Sequence, residues 1–317
     1  MARYLTRRFL AMLLTMLVIS IAIFVMSEVI PVDPARSILG QYTTDEAIQA
    51  LRVKMELDHP IAERYVKWLA RTLRGDLGES YRLGLPIRPL LFTRLRNSLY
   101  LAVLGMAMLV PISLIAGVIA GLTEGRWPDW LISIGALLTT SLPEFVSGIL
   151  LIIVFAWWLK ILPGNSLPGS EDGNPLAQPD KLILPAATLA LSQVGYVARI
   201  TRVSVAKVMK SAFIRTAVLK GLPRHVVVFR HGLRNALLAP VTVITTQLGW
   251  MIGGLIVIEW LFNYPGLGRL FYGAAYFNDI PLLEASALFG VVVAVASQLA
   301  ADIMYGLLNP LIRHGQT

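Results

Sequence analysis

Cysteine is absent from the 317 residues, and histidine occurs only four times. Without cysteine the chain has no disulfide, no cysteine-based zinc site and no thiol nucleophile. Charged residues are also scarce, at 15% of the chain, where soluble domains carry about 25%. The composition is instead 56% hydrophobic, gathered into long uncharged runs of the length that spans a bilayer as a helix. These features predict an all-α polytopic membrane protein.

Acidic residues are missing from one long interval, between Asp180 and Glu259. The same interval holds nine Lys or Arg residues between Arg199 and Arg234. A short basic loop between two spanning helices faces the cytoplasm under the positive-inside rule. That rule also accounts for the net charge of +9. Nucleic acid is not an expected partner, because no nucleic-acid-binding module is visible.

Two catalytic signatures are absent as well. The chain has no GxxxxGK[ST] phosphate loop, so we expect no ATP hydrolysis by this site in the chain itself. It has no HExxH motif, and the predicted spans contain no histidine, which argues against an intramembrane protease. A secondary transporter is a further alternative, but such proteins use repeats with several broken helices, and one break is visible here. We therefore expect a non-catalytic chain without a metal or cofactor of its own.

Six apolar segments predict six transmembrane helices, and the third, which contains Pro143-Glu144, is long, tilted or broken near Pro143. Six crossings place both termini in the cytoplasm. Outside the polar stretch after the first span, fourteen Lys or Arg residues then lie on the cytoplasmic side and three on the other. The predicted spans cover about residues 9–27, 98–122, 130–159, 182–198, 236–258 and 282–308.

A polar insert separates the first two spans, and we expect it outside the cytoplasm. Thr43 to Glu46 form a predicted capping box at the start of one short helix. A second amphipathic helix is predicted to place one apolar face on its neighbours, formed by Ile61, Tyr65, Trp68 and Leu69. The predicted organisation is a transmembrane helix at 1–30, the insert at 31–93, a five-helix transmembrane domain at 94–310, and a cytoplasmic tail at 311–317.

The basic block contains a short-helix pattern. Apolar residues recur at helical spacing from Val208 through Phe213 to Ala217. Gly221 and Pro223 then form a typical helix exit. The pattern predicts a short helix, a glycine stop and a second short helix at about 206–235. His231 and Asn235, four residues apart, share one face if this second segment is helical.

Two motifs in this region resemble a known family. Arg215-Thr216-Ala217, followed after three residues by Gly221 and after nine more by a run from His231 to Leu237, resembles the EAA coupling loop of ABC importer permeases. The form is similar to the dipeptide/oligopeptide/nickel branch, which also has a segment like Glu259 to Gly268. Two residues depart from the family pattern: Arg215 replaces its leading Glu, and Asn309 stands where the family usually has Asp.

The resemblance implies a type I ABC importer permease fold in the bacterial inner membrane. It implies that this chain, with a second homologous permease chain, forms the pathway for di- or oligopeptides; nickel chelates, glutathione and oligosaccharides are alternatives within the branch. The implied partners are two ABC ATPase subunits that use ATP-Mg, an extracytoplasmic substrate-binding protein and membrane lipid. The implied ATPase-coupling residues are Phe213, Arg215, Ala217, Gly221, Leu222, His231, Arg234 and Asn235.

Acids inside spans are costly and usually face a bundle interior or water. Glu144, directly after the Pro143 break, and Glu259 are candidates for lining the pathway. Glu259 lies at a helix end, so an interfacial position is the alternative for it. Asp302 is predicted inside the last span, near the cytoplasmic surface.

Overall fold

The structure is a computed structural model that describes residues 2–29, 44–54, 58–167 and 174–308. Within these ranges the regular structure is helical, apart from one isolated antiparallel bridge between Glu79 and Pro86. The predictions for Thr43, Asn309 and residues 311–317 fall outside the described residues.

The α-helices alternate between long apolar ones and short connecting ones. A π-helical turn, Ile152–Trp158, extends α6, and a second one, Val226–Leu233, precedes α9. In chain order the helices are α1 (Ala2–Val29), α2 (Asp45–Lys54), α3 (Ile61–Leu73), α4 (Ile87–Leu122), α5 (Trp127–Ser141), α6 (Glu144–Leu151), α7 (Asp180–Met209), α8 (Ala212–Leu219), α9 (Arg234–Ala236), α10 (Leu238–Leu261), α11 (Leu267–Tyr276) and α12 (Ile280–Leu308).

Four of these helices, α1, α4, α7 and α12, are long and apolar enough to cross a membrane in the part of the chain that is described. The pair α5–α6 adds a fifth candidate if its two parts, bent by 110°, form one span. Leu142 and Pro143 are both extended at the bend, because the residue before a proline is pushed out of the helical region. The predicted interruption at Pro143 is confirmed, whereas six crossings and cytoplasmic termini stay predictions.

Several predicted boundaries were wrong. Helix α4 begins at Ile87, well before the predicted start at Ser98. The apolar run marks only the part of this helix that is suited to lipid, and the more polar turns before the run are helical too. Helix α11 was not predicted at all: the segment from Glu259 to Gly268 was noted only for its resemblance, and a new helix begins within it at Leu267. Helix α7 runs past the predicted span, which ends at Ala198, and continues into the basic block to Met209, a continuation that the apolar run had left open.

The chain divides into two compact units, each with a core of its own. The first comprises residues 99–264 and the end of α12 from residue 297. Its core joins α4, α7 and α10 through Leu109, Leu189 and Met251. The second comprises residues 2–98 and 265–296. Its core joins α4, α11 and α12 through residues such as Leu91 and Leu282.

In the second unit the amphipathic helix α3 packs on α1. The ring of Phe24 lies 5.6 Å from Tyr65 and 5.5 Å from Trp68, and Arg64 forms a bidentate ion pair with Glu28 at 2.7 and 2.5 Å. The predicted face is thus confirmed for Tyr65 and Trp68. Ile61 instead lies exposed at the start of α3.

The start of α2 differs by one residue from the predicted capping box. The Thr44 hydroxyl accepts a hydrogen bond from the Ala47 amide at 3.4 Å, and α2 begins at Asp45. Thr44 therefore caps this helix.

Candidate functional site

The coupling segment, which we define as residues 206–235, begins at the end of α7. The helical conformation is interrupted at Lys210 and Ser211, and α8 then starts at Ala212. Ser211 is extended, with φ −72° and ψ 156°, as expected of a residue that precedes a helix. The prediction of one helical pattern from Val208 to Ala217 was therefore wrong: its first residues belong to α7 and the others to α8. Two residues of the pattern, Ala212 and Phe213, are exposed, so the apolar spacing marked neither the break nor the buried face of α8.

Gly221 ends α8 in the left-handed conformation, with φ +73°. Its amide donates to the Val218 carbonyl at 2.9 Å, and the Leu222 amide donates to the Ala217 carbonyl at 3.3 Å. These two bonds form a Schellman motif, which satisfies carbonyls at the end of the helix. Residues other than glycine pay about 1–2 kcal/mol for this conformation. The predicted glycine stop is confirmed.

The inner face of α8 holds the segment together. Ile214 and Ala217 are buried against Val227 of the π-helical turn and Met209 at the end of α7. Ala217 was expected, from the resemblance, to face a partner. Its side chain is only 7% exposed and contacts this inner cluster instead, because it lies on the same helical face as Ile214.

The outer face of α8 is uncovered and carries both apolar and basic side chains. Leu219 is 80% exposed and Phe213 45%. Arg215 is exposed four residues before Leu219, a spacing that places them on one face. Leu222 lies exposed directly after the glycine stop. An uncovered leucine beside a cation suits contact with another molecule rather than catalysis.

The second half of the segment leads back into the transmembrane helices. The Asn235 side-chain amide donates to the His231 carbonyl at 2.8 Å, so the predicted common face is confirmed; Arg234 is exposed beside them. The Ser204 hydroxyl donates to the Ala236 carbonyl at 2.6 Å, which ties α9 to α7. π-Helical turns are rare and occur frequently at functional sites.

One pair of residues in this region was missed by the sequence analysis. Asp129, in the first turn of α5, is buried and forms a bidentate ion pair with Arg202 of α7. Arg202 had been counted only as one cation of the basic block. Arg202 lies beyond the predicted end of the fourth span at Ala198, so nothing local indicated that it needed a buried partner.

The two candidate pathway acids lie in different surroundings. Glu144 is half-buried at the first position of α6. Its carboxylate lies against Gly254 of α10, where a Cβ atom would come within 2.5 Å of Oε2. Glu259 is fully buried, near the end of α10. The interfacial position suggested for Glu259 stays a prediction, because burial within the chain does not fix its depth in a membrane.

Comparison with known proteins agrees with this architecture. Residues 113–314 match the family described as binding-protein-dependent transport system inner membrane component, and residues 1–85 match its N-terminal membrane component family. A Brucella abortus (strain 2308) protein named as a peptide transport system permease is 36% identical over 299 residues, 94% of this chain and 95% of that protein. The glutathione transport system permease protein GsiC of Escherichia coli (strain K12) is 33% identical over 314 residues, 99% of this chain and 100% of that protein.

A solved structure shows the same fold. The inward-facing MetNI methionine ABC transporter matches with a TM-score of 0.58 at 16% identity, over 71% of this chain and 98% of that one. The chain belongs to the binding-protein-dependent transport system inner membrane component family, and it is a multi-pass inner-membrane permease component of an ABC importer.

Proposed function

We propose that this permease forms half of a pathway for di- or oligopeptides, and that the outer face of α8 docks on a cytoplasmic ABC ATPase. The docking proposal rests on one observation: the exposed side chains Arg215 and Leu219 on a short helix held by its own inner cluster. A rigid helix with an uncovered apolar residue can receive force without losing its own fold. The basic surroundings favour a cytoplasmic position for it.

The peptide assignment draws on the names of two relatives, a peptide permease and a glutathione permease. Glutathione is itself a short peptide, so both names belong to one chemical class. ATP-Mg would be used by the partner ATPases. The second permease chain, the two ATPases and the external binding protein complete the proposed complex.

The docking proposal is tested by Leu219→Asp, with Leu73→Asp as its control. The two leucines are almost equally exposed, at 80% and 79%, so neither change removes a core contact. Leu219 lies on α8, whereas Leu73 ends α3 in the insert. The tagged chain is purified from its own membranes in mild detergent, and co-purifying proteins are identified by mass spectrometry.

We expect the parent and Leu73→Asp proteins to bring a second permease and two ATPases with them. Leu219→Asp should retain the second permease and lose most of the ATPase. Equal ATPase recovery with Leu219→Asp and with the parent would contradict docking through α8. A parent chain that purifies alone, or as a homo-oligomer, would contradict the proposed complex with ATPase subunits.

The substrate is tested separately with the purified complex and its binding protein in proteoliposomes. We expect ATP-dependent uptake of labelled dipeptides, reduced by an excess of unlabelled oligopeptide. Uptake of glutathione, a nickel chelate or an oligosaccharide without uptake of peptides would overturn the peptide assignment and leave the permease function intact.

A further inference from the structure

The turn between α4 and α5 is fastened to α7 by a buried ion pair. Asp129 is 4% exposed. Its Oδ2 accepts from Arg202 Nη2 at 2.7 Å and from the Gly125 amide at 2.9 Å, and its Oδ1 accepts from Arg202 Nε and from the Ser133 hydroxyl at 3.2 Å. Bidentate pairing of this kind fixes the orientation of both groups. The carboxylate thus joins α5, α7 and the turn in one defined geometry.

Close helix packing surrounds this pair. A Cβ atom on Gly195 of α7 would lie 2.2 Å from the Ala136 carbonyl oxygen of α5. A Cβ atom on Gly121 of α4 would lie 2.8 Å from the Arg202 carbonyl oxygen. Small residues allow this backbone approach between membrane helices. Interfaces packed so tightly do not deform continuously, which limits the arrangements that these helices can adopt.

The position of the pair in the chain links two regions. From Arg202, α7 continues without a break for about two turns to Met209, within the coupling segment. From Asp129, α5 runs to Ser141, where the chain bends by 110° into α6. The pair therefore connects α7, which enters the coupling segment, to α5, the first part of the bent span.

We propose that Asp129 and Arg202 are positioning residues that make α7 and α5 move as one body, so that a displacement of the coupling segment reaches the bent span α5–α6. The proposal rests on the proposed docking of an ATPase at α8. A well-packed apolar contact would hold the two helices together equally strongly, because the cost of burying two charges offsets much of their attraction. The bidentate pair adds one defined orientation between the two helices, which is what transmission of a small displacement requires.

The first test uses Asp129→Asn, Arg202→Gln and the double variant, each in the complex with its ATPases and binding protein in proteoliposomes. The readout is peptide taken up per ATP hydrolysed, with both normalised to assembled complex. We expect each single variant to lower this ratio about 3- to 30-fold, the range of coupling effects seen for residues between sites. The double variant, in which two neutral amides face each other, should lose less than the product of the single losses.

Glu124→Gln is the matched control. Glu124 forms an exposed ion pair with Lys210 at 2.7 Å, again between the α4–α5 turn and the end of α7. Removing it should leave the ratio unchanged. If Asp129→Asn lowers ATP hydrolysis and uptake in equal proportion, the pair has only a structural role and the proposal is overturned.

A second test follows the motion directly and uses the absence of cysteine from the chain. Spin labels are attached at Trp127→Cys and Val203→Cys, two exposed positions on α5 and α7, in the otherwise unchanged complex. Their distance should be the same with and without ATP. In the Asp129→Asn background we expect the distance to change, or its distribution to broaden, on addition of ATP.

A distance that changes with ATP in the labelled parent, or one that stays constant in Asp129→Asn, would overturn the proposal. Failure of the proposed function itself would be seen earlier. In that case the parent complex would lack ATPase subunits or ATP-dependent peptide uptake before any variant is compared.

Discussion

The two ends of the basic block differ in how their charges are used. In the first part, Arg202 is paired with buried Asp129, and Lys210 is paired with Glu124 at the surface. The seven remaining cations are exposed, and within the described ranges no ion pair is formed by any of them. They are Arg199, Lys207, Arg215, Lys220, Arg224, Arg230 and Arg234. One run of positive charge thus contains residues that hold helices together and residues left available to headgroups, water or a partner.

Even the two internal pairs are unequal. Asp129 is 6% exposed in its side chain and Arg202 29%, against 36% for Glu124 and 70% for Lys210. Breaking a buried pair leaves an uncompensated charge and costs about 3–5 kcal/mol, whereas an exposed pair contributes about 0–1 kcal/mol. The positive-inside rule counts all these cations alike, although only the local packing decides which of them stabilises the fold.

The largest expected effect is that of Arg202→Ala. The change leaves the Asp129 carboxylate buried without its cation, so we expect stability to fall by about 3–5 kcal/mol. Thermal unfolding of the purified chain in detergent measures this loss. Arg199→Ala removes an exposed arginine from the same helix, one turn earlier, and should change stability little. Equal losses of stability for the two variants would mean that the paired arginine contributes no more to the fold than the exposed one.

Local features of the fold could be predicted from the sequence, because their causes lie within a few residues. Proline disfavours the helical conformation of the residue before it, so a break at Pro143 could be suggested, although Pro111 and Pro185 lie inside unbroken helices. Glycine tolerates a left-handed backbone, so the stop at Gly221 was visible too. Helix α7 extends into the basic block as far as Met209 because charged residues with good helix propensity do not end a helix.

Features that depend on distant residues could not be predicted. Asp129 and Arg202 are 73 positions apart, and neither position carries a local pattern that names its partner. For Glu259 a pathway position and an interfacial position both stayed open, because the sequence shows the end of an apolar run but not what covers it. The exposed and the inward face of α8 could likewise be distinguished only from the position of Val227, against which Ala217 is buried.

The next effect distinguishes those two faces of α8. Ala217→Leu inserts a larger side chain into the inner cluster, and overpacking of this kind costs about 1–3 kcal/mol. The segment should loosen, so trypsin should cleave faster at Lys220 and Arg224, which border the glycine stop. Ala212→Leu, at the exposed start of α8, is the control and should not alter the cleavage rate. Faster cleavage in both variants would mean that α8 has no distinct inner face.

A smaller effect on stability is expected at Gly221. Leucine in the left-handed conformation costs about 1–2 kcal/mol, and we expect Gly221→Leu to remain in the membrane while losing ATP-dependent uptake. Gly221→Asn is the matched variant, because asparagine adopts this conformation more readily, and it should retain most of the uptake. Uptake by vesicles containing the assembled complex gives the comparison. Normal assembly and unchanged uptake in Gly221→Leu would show that the shape of this stop does not matter for transport.

The smallest effect is expected from Lys210→Gln, which removes the exposed pair with Glu124. Its side chain is 70% exposed, so solvent and salt already screen the attraction, and the loss should be about 0–1 kcal/mol. Thermal unfolding at low and high salt measures it: the small difference between parent and variant should shrink further as salt is added. A loss comparable to that of Arg202→Ala, and insensitive to salt, would mean that the two attachments of the α4–α5 turn act as one network. The transmission proposed for Asp129 and Arg202 would then have to be assigned to the whole turn rather than to the buried pair.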